Sequence, residues 1–205
     1  MILHNIFNEI FSLPSNIAVL REISKVQTGL SGREISKLVG ISPPTCLTIL
    51  THLENLSIVQ RQRGGRDHLF TLNREHIIVK EILLNLFSFE ERLLNHIMND
   101  IKKNFGKYCI SIFLFGSVAR KEETIESDLD LCFLINSIRS KEPLSDLISQ
   151  KRSYYKRKYG VNLAPFFLTE KEFILRTKHN KPPVPDIVKE SLLIYGKPLE
   201  KILND

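Results

Sequence analysis

Residues 113–117 read Phe-Leu-Phe-Gly-Ser, and eleven residues after that serine the chain reads Asp128-Leu129-Asp130-Leu131. This pair of patterns constrains the fold more than any other feature. Residues 113–115 form an apolar run of the length of a buried strand, and Gly116-Ser117 turns it into a helix. Such a turn aims backbone amides toward the helix N-terminus, where phosphate is favoured. Gly116 permits close backbone approach, and Ser117 adds a hydroxyl donor. Residues two apart in a strand share a face, about 7 Å apart along the chain. Asp128 and Asp130 therefore project together while Leu129 and Leu131 face a core. Neighbouring carboxylates repel unless a cation lies between them, and Mg²⁺ prefers oxygen ligands of this kind.

A phosphate cradle beside a carboxylate pair is what metal-assisted nucleotidyl transfer requires. In this spacing the sequence resembles the nucleotidyltransferase superfamily with the DNA polymerase β fold, in particular its minimal members. Their pattern is Gly-Ser-x-x-Arg-Gly, then Ser-Asp-x-Asp-Leu. Gly116, Ser117, Arg120, Ser127, Asp128, Asp130 and Leu131 match it, and Lys121 stands where Gly is usual. The resemblance covers residues 105–203, including LLIYGKPLEKIL, which is similar to the family's last helix and turn. It implies Mg²⁺ (or Mn²⁺) at Asp128 and Asp130, and NTP at Gly116, Ser117 and Arg120, with Asp128 and Asp130 as the catalytic pair. The family's third carboxylate lies on a later strand. Here that segment is Val161-Asn162-Leu163-Ala164-Pro165, which places Asn162 at the position. An amide coordinates through its carbonyl but accepts no proton at neutral pH, and a missing base lowers rates ~10²–10⁴-fold. Glu170 and Glu172 lie beyond the strand.

The N-terminal half follows a different order. Residues 15–26 have helical spacing, with Ile17, Leu20, Ile23 and Ser24 on one side. Ser31 is an N-cap completed by Glu34 as a capping box, and Gly40 ends that short helix. Ser42 caps the next, with Pro43 in the first turn, and Leu47, Leu50, Leu53 and Leu56 are its expected inner residues. Strand-like segments 58–63 and 68–72 follow, joined by Gly64-Gly65, a hairpin turn. Three helices and a hairpin resemble the winged helix-turn-helix regulators of the MarR and ArsR kind. Ser57 stands where that family usually has Gly.

That resemblance implies DNA contacts from Thr45, Thr48 and His52 on the recognition helix and from Arg61, Arg63 and Arg66 on the wing. The recognition helix has no Arg or Lys, so strong base readout from it is not expected. Winged helices also serve as protein-contact modules and often pair as two-fold dimers.

Residues 74–105 contain no Gly or Pro, and their apolar positions recur at three and four residues. One or two connecting helices are expected, with a break near Ser88 and an apolar side packed on either domain or on a second subunit. The segment KRSYYKRKY at 151–159 has two readings: a contact for an RNA or DNA acceptor, or a solvated helix face with its tyrosines turned inward. The tail is expected to be helical over IVKESLLIYG.

The expected fold class is therefore α+β in two domains: a winged helix-turn-helix at 1–74, a helical connector at 75–104, and a polymerase β-like mixed sheet flanked by helices at 105–205. A net charge of +6 suits nucleic acid or nucleotide. No apolar run reaches the ~20 residues that span a bilayer, and the N-terminus lacks the marks of a signal peptide, so a cytoplasmic protein without membrane contact is expected. Three widely spaced cysteines suit buried positions better than disulfides or zinc. Two functions stay open. One is a nucleotidyltransferase acting on a protein or tRNA acceptor, as the resemblance implies, since related stand-alone domains act as antitoxins that nucleotidylate a partner toxin. The other is a DNA-binding regulator whose second domain is catalytically degenerate and serves as nucleotide sensor or dimerisation module.

Overall fold

The computed structural model describes residues 3–64 and 67–204. The chain divides into two compact units, residues 1–92 and 93–205.

In the first unit, helices α1 (Ile6–Ile10) and α2 (Pro14–Ser24) precede a short strand β1 (Leu30–Ser31). Helices α3 (Gly32–Val39) and α4 (Pro43–Asn55) follow, then strands β2 (Val59–Gly64) and β3 (Asp67–Leu72). The sheet runs β1-β3-β2, antiparallel throughout. This is the winged-helix arrangement, with α4 in the place of the recognition helix and β2–β3 as the wing. The caps are those the sequence announces. Ser31 accepts from the Glu34 amide, and Glu34 accepts in return from the Ser31 amide. Gly40 is left-handed at φ 74°, and Ser42 caps α4.

The inner side of α4 differs from expectation. Cys46, Ile49, Leu50 and Leu53 are buried, whereas Leu47 is 48% exposed. Leu47 instead lies over Gly32, where an added Cβ would come within 2.9 Å of its Cδ2. Helix α1 was not foreseen; it brings Ile10 into the core with Val19, Leu20 and Ile23.

A π-helical turn (Val79–Leu83) leads into helix α5 (Leu84–Phe105), which runs through Ser88 without a break. Val79, Leu83 and Phe87 belong to the first core, and Ile97, Ile101 and Phe105 to a core of the second unit. The expected connector is thus shared between two units.

The second unit is a mixed four-stranded sheet in the order β6-β5-β4-β7. Strand β4 (Ser111–Phe115) lies antiparallel to β5 (Leu129–Ile135) and to β7 (Leu192–Gly196), and β5 lies parallel to β6 (Leu163–Thr169). Alternation along β5 divides the core: Leu129, Leu131, Phe133 and Ile135 face α5 and helix α7 (Lys141–Tyr159), while Cys132 and Leu134 face the other layer. That layer holds α8 (Glu170–Lys178), α9 (Val184–Glu190) and α10 (Leu199–Asn204), which bury Phe173, Ile187 and Ile202. The short helix α6 (Gly116–Arg120) follows β4.

The tail departs from the expected helix. Helix α9 stops at Glu190, and residues 192–196 form β7 along the free edge of β4. Gly196 fits there at φ 88° because a Cβ would fall 1.8 Å from the Ile110 carbonyl oxygen.

Candidate functional site

Strand pairing joins the two sequence patterns. Phe115, the last residue of β4, is opposite Asp130 on β5. Gly116 follows at φ 76°, and a Cβ built on it would lie 2.2 Å from Asp130 Oδ2. Only a residue without a side chain lets this backbone and carboxylate approach so closely. Asp128 lies just before β5, exposed, and Asp130 is half-buried. Burial, and next the charge of Asp128, push the Asp130 carboxyl above the usual range, while Arg120 opposes them. A half-buried carboxyl beside a second carboxylate forms a donor set that a divalent cation would relieve. Asp128 and Asp130 thus fit such an ion, although no cluster of three or more His, Cys, Asp or Glu with metal-binding geometry occurs among the described residues.

Asn162 precedes β6, and its carbonyl accepts from the Leu129 amide at 2.9 Å. Its side-chain Nδ2 donates to Asp128 Oδ1 at 3.1 Å. The residue in the third-carboxylate position therefore presents an N–H to the first carboxylate. Asp128, Arg152, Asn162, Leu163 and Ala164 line a recess of about 340 Å³. The more distant acids are otherwise engaged: Glu172 forms a capping box with Thr169, and Glu170 meets Lys197 at 3.2 Å.

Ser117 is half-buried on the first turn of α6. Arg120, at the end of that helix, is held by two glutamates: Nε donates to Glu122 at 2.7 Å, and a terminal nitrogen donates to Glu190 at 2.6 Å. Glu190 lies seventy residues away, and nothing local in the sequence marked it. Lys121 caps α6 in the left-handed region at φ 60°, which explains why Gly is usual at this position. The Ser127 hydroxyl accepts from the Thr124 amide at 2.9 Å and shapes the turn before Asp128.

In the first unit, Thr45 and Thr48 are exposed on α4. The Thr45 hydroxyl is 2.7 Å from that of Ser42, and Thr48 donates to the Pro44 carbonyl at 3.1 Å. His52 turns toward α1, with Nε2 3.2 Å from the Glu9 carbonyl oxygen and 3.7 Å from its carboxylate. Arg61 pairs with Glu54 at 3.2 Å. Arg63 is exposed opposite His68, and Arg66 lies outside the described residues. All three cysteines are free and buried, and burial pushes the Cys109 and Cys132 thiols up to about 12. Among the described residues no helix is long and apolar enough to cross a membrane.

Residues 94–195 match the family model described as "Nucleotidyltransferase domain". A protein of Methanocaldococcus jannaschii, "Putative protein adenylyltransferase MJ1305", is 28% identical over 117 residues, which cover 53% of this chain and 76% of that protein. Solved structures with likeness to this chain include MepR, a transcription regulator of the Staphylococcus aureus multidrug efflux pump MepA. It has 20% identity and a TM-score of 0.37, over 49% of this chain and 80% of its own. NadR in complex with 4-hydroxyphenylacetate has 17% identity and a TM-score of 0.36, over 44% of this chain and 66% of its own. The winged helix is established by its own element order and pairing, not by likeness at these scores. Taken with the approach of Gly116 to Asp130, the match at residues 94–195 means that the chain carries a domain of the nucleotidyltransferase family behind a winged helix-turn-helix.

Proposed function

We propose that the second domain binds ATP with a divalent cation, Mg²⁺ or Mn²⁺, and transfers AMP to a hydroxyl of a protein acceptor. The observation that carries this reading is the contact of Asp130 with the Gly116 backbone, which puts the carboxylates beside the strand-to-helix turn. The Methanocaldococcus jannaschii relative, by its name, supports adenylyl transfer and a protein acceptor over tRNA. In the reaction the acceptor oxygen bonds to the α-phosphorus as the bond to the oxygen bridging the β-phosphate breaks. Pyrophosphate leaves and the hydroxyl proton passes to water. Gly116 and Ser117 hold the phosphates, with Arg120 at the far end of α6. Asp128 and Asp130 would hold the cation, which neutralises triphosphate charge when bound. Asn162 orients Asp128 and supplies no base, so turnover is slow by the ~10²–10⁴-fold that a positioned base is worth. Incubation with α-labelled ATP, Mg²⁺ and candidate acceptors tests the reading. Label should reach protein and vanish in Asp128→Ala and Asp130→Ala; no transfer, with the variants matching wild type, overturns it.

A second reading is supported by the Asn162 amide on Asp128: a DNA-binding regulator whose second domain senses nucleotide without turnover. In it the winged helix contacts DNA through Thr45, Thr48 and the wing arginines, as a two-fold dimer. It requires salt-dependent binding to duplex DNA that weakens in Arg63→Ala with a shallower salt slope and shifts when ATP is added. Salt-independent binding that survives Arg63→Ala removes this reading.

A further inference from the structure

Helix α7 has a side that its core does not use. Leu144, Ile148 and Tyr155 are buried. The Tyr155 hydroxyl accepts from Asn104 at 3.1 Å, and the Tyr154 hydroxyl accepts from Lys158 at 2.6 Å. The Lys151 and Lys158 ammonium groups also lie 5.3 and 5.0 Å from the centre of the Tyr154 ring. Tyr159 packs on Tyr155 with ring centres 6.0 Å apart. The three tyrosines and two of the lysines are thus engaged within the domain. This favours the inward-packed reading of the segment: Tyr155 is buried, and the half-buried Tyr154 and Tyr159 rings are already partnered by lysines.

What remains outward is Arg152, Lys156 and Arg157, all exposed, with no ion-pair partner among the described residues. Arg152 and Lys156 are one helical turn apart and therefore neighbours. No acid occurs between Asp146 and Tyr159 to offset them. Arg152 also lines the recess beside Asp128 and Asn162. There Asp128 is the one carboxylate, and Asn162 already donates to it.

We propose that this cationic ridge reads an acidic segment of the protein acceptor. Arg152 pairs with a carboxylate next to the hydroxyl that receives the nucleotide. The proposal rests on the adenylyl-transfer reading above and names its substrate class. A guanidinium suits the purpose because its fork matches a carboxylate with two parallel bonds. A polynucleotide end would meet the charges, but the aromatic faces that single strands use for stacking are already partnered.

The test uses the full chain and fluorescence anisotropy with three labelled probes: a glutamate–tyrosine peptide, a lysine–tyrosine peptide of equal length, and a single-stranded oligonucleotide with a free 3′ hydroxyl. The acidic peptide should bind and the basic one should not. Arg152→Glu and Lys156→Glu should each weaken acidic-peptide binding about tenfold. Arg152→Lys should retain part of it, and Lys178→Glu, on α8 across the sheet, should leave it within about twofold. ATP–Mg²⁺ affinity should be the same as wild type in Lys156→Glu and Lys178→Glu, which lie outside the recess beside Asp128. Peptide binding indifferent to Arg152→Glu overturns the proposal, and so does oligonucleotide binding that falls in the ridge variants while peptide binding does not. If wild type fails to bind ATP–Mg²⁺ while the peptide still responds to Arg152→Glu, the ridge stands as a docking surface and the adenylyl-transfer reading falls.

Discussion

The side-chain amide of Asn162 donates to Asp128 Oδ1 at 3.1 Å, so the position that would supply a third carboxylate instead stabilises the negative charge of the first. Asn162→Asp replaces that hydrogen bond with a repulsion. Without divalent cation the variant should be less stable by about 1 kcal/mol, the worth of one hydrogen bond. With Mg²⁺ it should show a larger rise in melting temperature than wild type, because a third acid strengthens the cation site. Thermal unfolding in chelator and across a Mg²⁺ titration measures both.

Gly116→Ala should damage both the stability of the second unit and its candidate site. The added Cβ would collide with Asp130 Oδ2, 2.2 Å away, at a backbone φ of 76°. The left-handed conformation alone costs roughly 1–2 kcal/mol for a residue with a Cβ. Displacing Asp130 should also abolish ATP–Mg²⁺ binding. Denaturant unfolding gives the first quantity and calorimetric titration the second.

Ser57 and Lys121 both occupy left-handed backbone, at φ 59° and 60°, in the two places where the resembled families favour Gly. Relief of that strain exceeds the extra chain entropy of glycine by a small margin. Ser57→Gly and Lys121→Gly should each stabilise by about 0.5–1 kcal/mol. They lie in different units, so the effects should add in the double variant.

Glu172 accepts from the Thr169 amide and hydroxyl at 2.8 Å each. These bonds, the backbone one first, hold its carboxyl below the usual range. A group depressed in the fold adds stability above its unfolded value, near pH 4.3. That stability is lost as pH falls through its lowered folded value. Glu172→Gln keeps an acceptor for the capping box but cannot titrate, so it should flatten this part of the acid limb of the unfolding profile. Thr169→Ala should instead lower stability by about 1 kcal/mol at neutral pH. Urea unfolding across pH 3–7 distinguishes the two (the range brackets ordinary carboxylates).

Local chemistry made parts of this architecture legible in advance. The caps at Ser31, Gly40 and Ser42 depend on residues within one turn, and each is where the sequence placed it. The Gly-Ser turn and the Asp-x-Asp pair could be read because strand alternation and a tight turn are short-range properties. Long-range partners hid the rest. LLIYG continues a helical pattern from α9 and becomes a strand only because β4 offers an open edge. Leu47 belongs to a plausible inner stripe but rests over Gly32, on a neighbouring helix. Asn162 was identifiable by alignment with the motif, yet its amide bond to Asp128 depends on how β6 runs beside β5. Arg120 matched the motif, while Glu190 came from an element seventy residues on.

For the nucleotide binding proposed above, the hold of Glu122 and Glu190 on Arg120 acts as a threshold for what the site admits. Its guanidinium meets any incoming anion already neutralised, so binding there is an exchange of one anion for another. A monophosphate offers little more charge than the carboxylates it would displace. A triphosphate offers several oxygens at once and can draw the side chain away. On that proposal, the two glutamates bias the site toward the nucleotide that still has a pyrophosphate to give up.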